Sequence, residues 1–61
     1  MWQLIVTIWI ASPAGAETTL TETLAGYRSQ AECVADIHPA VEGRMSRQRV
    51  VTAAARCERQ R

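Results

Sequence analysis

The stretch Met1-Trp2-Gln3-Leu4-Ile5-Val6-Thr7-Ile8-Trp9-Ile10 decides how the rest of the chain is read. It carries both tryptophans and three of the four isoleucines of a 61-residue sequence. Its β-branched and aromatic content favours a strand. Side chains of a strand alternate between two faces. Trp2, Leu4, Val6, Ile8 and Ile10 then share one face, which is wholly apolar, and Gln3, Ile5, Thr7, Trp9 and Ala11 share the other, which is mixed. A competing expectation is a secretory signal over residues 1–16, with residues 2–11 as its apolar core and Ala14-Gly15-Ala16 as the small-residue cleavage site. Two features oppose it: no Lys or Arg precedes the run, and the run is rich in strand formers. It also falls far short of the roughly 20 apolar residues that cross a bilayer as a helix, so no transmembrane segment is expected.

Working outward, Ser12-Pro13-Ala14-Gly15-Ala16 reads as a turn, because Pro and Gly interrupt regular structure. Residues 17–24 are dense in threonine and read as a second strand, with Leu20 and Leu24 on one side and Thr19, Thr21 and Thr23 on the other. Together with residues 2–10 they form an antiparallel hairpin. Ser29-Gln30-Ala31-Glu32 is a capping box: the Ser29 hydroxyl can accept from the Glu32 N–H while the Glu32 carboxylate reaches back to the Ser29 N–H. It predicts a helix over residues 30–38, with Cys33, Val34, Ile37 and Val41 at the spacing of an inner face. Pro39 should end or kink that helix. It can also open a second short turn, with Val41 and Met45 as an i, i+4 pair. Residues 44–48 read as a solvated connection. Residues 49–57 are read as a third strand with Val51, Ala53, Ala55 and Cys57 on one face. Ala53-Ala54-Ala55-Arg56 leaves a C-terminal helix open as the alternative on propensity. The expected fold is α+β: a single β-β-α-β mini-domain over residues 1–61, a three-stranded sheet with one helix on one face.

A core this small is marginal without a disulfide, a metal or a partner. Cys33 and Cys57 can form a disulfide that ties the helix to the third strand; the alternative is two buried thiols, as is ordinary in a reducing compartment. Cys33, His38 and Cys57 lack the paired spacing of zinc ligands, so neither metal nor cofactor is expected. His38 follows Cys33 by five residues, offset on a helix, and no oxyanion loop or triad accompanies them, so no catalytic residues are assigned. His38 reads as an exposed residue at a helix end.

The formal net charge is +1, but its distribution is uneven. Residues 1–39 hold Glu17, Glu22, Glu32 and Asp36 against Arg28, whereas the remainder holds Arg44, Arg47, Arg49, Arg56, Arg59 and Arg61 against Glu42 and Glu58. Arg44, Arg47, Arg49, Arg56 and Arg59 form a candidate basic patch. Without interleaved aromatics or a recognisable nucleic-acid motif, a solvated surface is favoured over nucleic-acid binding. The sequence contains no lysine, which suits a GC-rich genome that encodes Arg wherever a solvated cation will do.

Trp2 and Trp9 differ in parity, and one short helix covers one face of a three-stranded sheet. Ile5, Thr7 and Trp9 are therefore expected on the open side as an interaction surface. The order of an apolar W-x-L-x-V-x-I strand, a Thr-rich strand, S-x-x-E-C opening a helix and a late single Cys resembles short proteins without assigned activity encoded by GC-rich bacteria and their phages. That resemblance implies a small accessory protein and carries no site. The resulting expectation is a non-enzymatic structural or interaction protein, a subunit of a homo-oligomer or of a larger assembly such as a phage particle. Its partner would be protein, met through the Ile5/Trp9 face and through strand addition at the sheet edges. It would sit in the cytoplasm or a virion. Two alternatives remain: a periplasmic or secreted disulfide protein with residues 1–16 as signal, and an Arg-rich regulatory or nucleic-acid-binding accessory protein.

Overall fold

The computed structural model describes residues 1–47 and 49–60. The chain folds as an α+β mini-domain with strands β1 (Trp2–Ala11), β2 (Glu17–Tyr27) and β3 (Val50–Arg59) and helices α1 (Gln30–Ala35) and α2 (Ile37–Met45). The sheet is antiparallel in the order β2-β1-β3, so the N-terminal strand is central. The two helices form one bent segment on one face of the sheet, lying over β3 and β1.

The β1–β2 hairpin turns through Ser12 to Ala16. Pro13 follows Ser12, the Gly15 N–H donates to the Ser12 carbonyl at 3.0 Å, and Gly15 takes a φ of 88°. That left-handed conformation is one a Cβ disfavours and glycine adopts without cost. The Ser12 N–H then closes onto the Ala16 carbonyl at 2.7 Å. β2 continues to Tyr27, past residue 24 where regular alternation was expected to stop. A bulge allows this: Leu4 faces Leu24 and Trp2 faces Tyr27, with the extra residue absorbed around Gly26 at φ 95°.

Residues 50–59 form a strand despite the helix propensity of the three alanines. Pairing to β1 satisfies the backbone groups that face it, and tertiary context overrides weak propensities. Ala53 and Ala55 lie beneath the helices, where small side chains permit close approach. A second bulge sits near the start of β3, where Trp9 faces Thr52 and Ile10 faces Val50. It displaces the expected alternation by one: Val50, not Val51, packs on the core, and Val51 is 53% exposed.

Pro39 acts upstream of itself. A proline in a helix lacks the N–H that would bond the carbonyl four residues earlier, and its ring crowds that carbonyl. For Pro39 that residue is Ala35, and α1 ends there. Asp36 separates the helices, and α2 restarts at Ile37 with the Ala40 N–H bonded to the Asp36 carbonyl at 3.0 Å. Pro39 thus sits in the first turn of α2, where a missing donor is harmless. The helix runs on through Met45, so residues 44 and 45 are helical rather than part of a connection. The bend also changes the inner face. Cys33 and Ile37 point inward and Ala40 joins them, whereas Val34 is 51% exposed.

At the start of α1, Ser29 Oγ accepts from the Glu32 N–H at 3.1 Å, as the capping box predicts. The return bond differs: Glu32 Oε2 accepts from the Arg28 N–H at 2.8 Å, one residue before the cap.

Among the described residues, the fully enclosed side chains are Leu4, Val6, Ile8 and Cys33. Three of these four come from β1, and Trp2, Ile10, Tyr27, Ile37, Ala40 and Cys57 pack around them. Cys33 and Cys57 are joined by a disulfide across a Cα separation of 6.1 Å, clamping α1 to β3. The radius of gyration is 12.7 Å. A compact chain of this length would have about 10.5 Å, so the molecule is a thin two-layer slab with little interior.

Candidate interaction surfaces

The uncovered face of the sheet carries Gln3, Ile5, Thr7 and Trp9 from β1, Thr19, Thr21 and Thr23 from β2, and Thr52, Ala54, Arg56 and Glu58 from β3. This follows from parity: the partners of Ile5, Thr7 and Trp9 across both ladders share their side of the sheet. Ile5, Thr7 and Trp9 are half-buried and, with Ala54 and Arg56, line a shallow depression of ≈ 160 Å³. Thr7 and Thr21 hydroxyls stand 3.5 Å apart on this face. Arg56 Nε meets Glu58 Oε1 at 3.2 Å beside it. The face therefore has an apolar centre, a hydroxyl-bearing flank on β2 and a charged flank on β3.

A second surface lies on the helix side, along β2. The helices sit over β3 and β1 and leave much of β2 bare, so Leu20 is 44% and Leu24 36% exposed. Between them Glu22 faces the helices. Its Oε2 accepts from Arg44 Nη2 at 2.6 Å and its Oε1 lies 3.5 Å from Arg47 Nη1. Arg44 also donates through Nη1 to the Ala40 carbonyl at 3.2 Å, while its buried Nε has no partner. The hydrogen bond from Arg44 holds the Glu22 carboxyl below the usual glutamate value, against an opposing push from desolvation, with Arg47 adding to the effect. Sequence reasoning missed this surface. The available signal was Leu20-Thr21-Glu22-Thr23-Leu24, an acid at the centre of a strand's apolar face, which requires a cation from elsewhere in the chain.

The arginines of the candidate basic patch are dispersed. Arg44 and Arg47 serve Glu22 on the helix side. Arg56 lies on the open face, in register with Ile5, and Arg59 faces Trp2 at the far end of β3. Arg49 precedes β3 with a left-handed φ of 71°, and its carbonyl accepts from the Ala11 N–H at 2.9 Å. Arg61 lies outside the described residues.

One further polar contact ties the helices to the sheet. Tyr27 Oη donates to Asp36 Oδ2 at 2.7 Å, latching the end of β2 to the break between α1 and α2. That bond stabilises the protonated phenol and raises its pKa above the ordinary value. His38 lies in the first turn of α2 rather than at a helix C-terminus, with Nε2 2.9 Å from Glu42 Oε1 on the solvent side. Among the described residues, no three His, Cys, Asp or Glu side chains converge as a metal site, and no helix is long and apolar enough to cross a membrane.

Comparison with protein-family models, with curated proteins and with solved structures finds no match for this chain.

Proposed function

We propose that this chain is a small non-enzymatic interaction protein that works as a subunit, joined to copies of itself or built into a larger protein assembly such as a phage particle. The observation that carries the reading is the open face of the sheet. Ile5 and Trp9 flank Thr7 there, with none of the described elements layered over them, on a slab whose helices already cover part of the other face. Large apolar groups clustered on a surface mark contact sites. A tryptophan in a shallow apolar depression is the type of anchor that dominates interface energies. The size of the core supports the same reading, since a chain with four enclosed side chains among the described residues gains much from a second apolar layer.

Trp9→Ser tests this. The substitution removes the anchor from the open face without touching Leu4, Val6 or Ile8. Light scattering should show a lower particle mass for the variant than for the wild type, with unchanged far-ultraviolet circular dichroism. A wild-type particle at the monomer mass of 6.8 kDa, with no difference in the variant, would remove the self-association reading.

The Cys33–Cys57 disulfide supports a second reading, a protein of an oxidising compartment such as the periplasm. In its strongest form residues 1–16 are a leader. Cleavage after Ala16 would delete β1, which joins the other two strands, so the mature chain would need a different fold. Mass spectrometry of protein isolated from its cells distinguishes the two through a mature N-terminus at Met1 or at Glu17.

A further inference from the structure

The free edge of β2 has a geometry that names its own partner. Backbone bonds from β1 to β3 come from odd-numbered β1 residues: the Ala11 N–H donates to the Arg49 carbonyl, and the Met1 carbonyl accepts from the Gln60 N–H. Even-numbered β1 residues therefore bond to β2, in line with the Ser12 N–H on the Ala16 carbonyl. Their partners Thr18, Leu20, Glu22 and Leu24 turn their backbone groups inward. Thr19, Thr21 and Thr23 turn theirs outward, along an edge that pairs with no other strand among the described residues. Natural edges are usually blunted by Pro, by charged side chains such as Lys or an inward-pointing acid, or by a bulge. The inward-pointing acid here, Glu22, is neutralised by Arg44 and Arg47 of its own chain. Residues 17–24 contain neither Pro nor Lys, and the bulge comes only at Gly26.

We infer that β2 pairs antiparallel with β2 of a second copy, about a two-fold axis passing beside Glu22, to make a continuous six-stranded sheet. This deepens the proposed self-association and rests on it. The register follows from the side chains. Leu20 and Leu24 are the half-exposed apolar groups of the edge, and they lie symmetrically about Glu22. Centring on Glu22 sets Leu20 against Leu24 of the second copy, and the reverse, on the helix side. It sets Thr21 against Thr23 of the second copy in the hydrogen-bonded position. Centring on Thr21 instead puts Glu22 against Leu20. Centring on Leu20 carries Leu24 past the strand, opposite residue 16. The chosen register brings two Glu22 carboxylates together, which would be repulsive were they bare. Each is already held by Arg44 and Arg47, so the axis gathers two carboxylates and four guanidinium groups. Glu22 is also the midpoint of β2, and this register pairs residues 19–25 of the two copies, short of the bulge at Gly26.

Edge pairing gives the open face its useful size. Three ten-residue strands present about 480 Å² from strand spacing and rise. A stable interface buries about 800 Å² per partner. Two copies joined edge to edge double the continuous face and bring Ile5 and Trp9 of both copies onto one surface large enough to stack.

The full chain, disulfide intact, tests this by amide hydrogen exchange followed residue by residue, alongside light scattering. The Thr21 and Thr23 amides point away from β1, so in an isolated chain they exchange as open amides. Pairing predicts at least tenfold slower exchange that disappears on dilution, in a particle of twice the 6.8 kDa chain mass or a multiple of that. Thr21→Pro removes an outward N–H and spares the β1 ladder, so it should give a folded particle of half the wild-type mass or less. Trp9→Ser should stop at the edge-paired dimer. An associated wild type with Thr21 and Thr23 amides exchanging as open would overturn the edge inference and leave the face-to-face reading standing. A monomer at every concentration would overturn both.

Discussion

The two flanks of β1 are built differently. On one side β3 lies under both helices, its alanines allow close approach, and the Cys33–Cys57 bond locks it to α1. On the other side β2 meets the helices through a Glu22–Arg44 ion pair and a Tyr27–Asp36 hydrogen bond, and its leucines remain half exposed. The β3 flank holds the chain together, and the β2 flank is left available for contact. In a protein with so little interior these roles separate, because one bent helical segment supplies enough apolar surface to seal one half of one face.

The sharpest way to break that contrast is to empty the shared centre. Leu4→Ala should cost about 2–5 kcal/mol, the usual loss for a fully enclosed leucine. That approaches the entire stability of a domain this size, so urea denaturation should show the variant unfolded or nearly so. Opening the clamp on the β3 flank comes next. Replacing Cys33 and Cys57 together by serine should cost about 3 kcal/mol by relaxing a closed loop of some two dozen residues in the unfolded chain. Thermal melts with and without reductant should show the same loss in wild type and no reductant effect in the variant. Ser29→Ala removes the cap of α1 and should cost about 1 kcal/mol, read as a lower denaturant midpoint at an unchanged slope.

The smallest effect probes the β2 flank. The carboxyl of Glu22 has a folded-state pKa below 4.5, its ordinary value. The unfolded chain therefore binds the proton more readily. The contribution of Glu22 to stability is present above about pH 4.5 and is lost as pH falls through the lowered folded value. Glu22→Gln should flatten the acid limb of a stability–pH curve and leave the region near neutrality almost unchanged, because partly exposed ion pairs contribute little. The opposite limb belongs to Tyr27. Its pKa is raised above 10.0, so stability should fall as pH rises through that region, and Asp36→Asn should reduce the fall.

Much of this could be read from residue order. Parity placed Leu4, Val6 and Ile8 opposite Ile5, Thr7 and Trp9, because alternation in a strand is a local property. The Ser29 cap was equally local. The position of the helix break was read at Pro39, whereas it falls at Asp36, because the carbonyl that a proline displaces lies four residues upstream. Val50 and Val51 exchanged faces because a bulge shifts register by one residue, and nothing within a single strand marks which residue will be the extra one. Leu20 and Leu24 have the spacing of core residues, yet the helices lie toward β3 and leave them partly bare.

Sequence alone determined the N-terminal strand, its two faces, the hairpin and the first helix start, since each follows from side-chain periodicity or a backbone hydrogen bond between near neighbours. Tertiary structure decided between strand and helix for residues 50–59, and it alone placed β1 at the centre of the sheet, set Arg44 and Arg47 on Glu22 and left the edge of β2 open. Those outcomes depend on which surfaces meet across the sheet, and that is a property of the packed layers that no single segment carries.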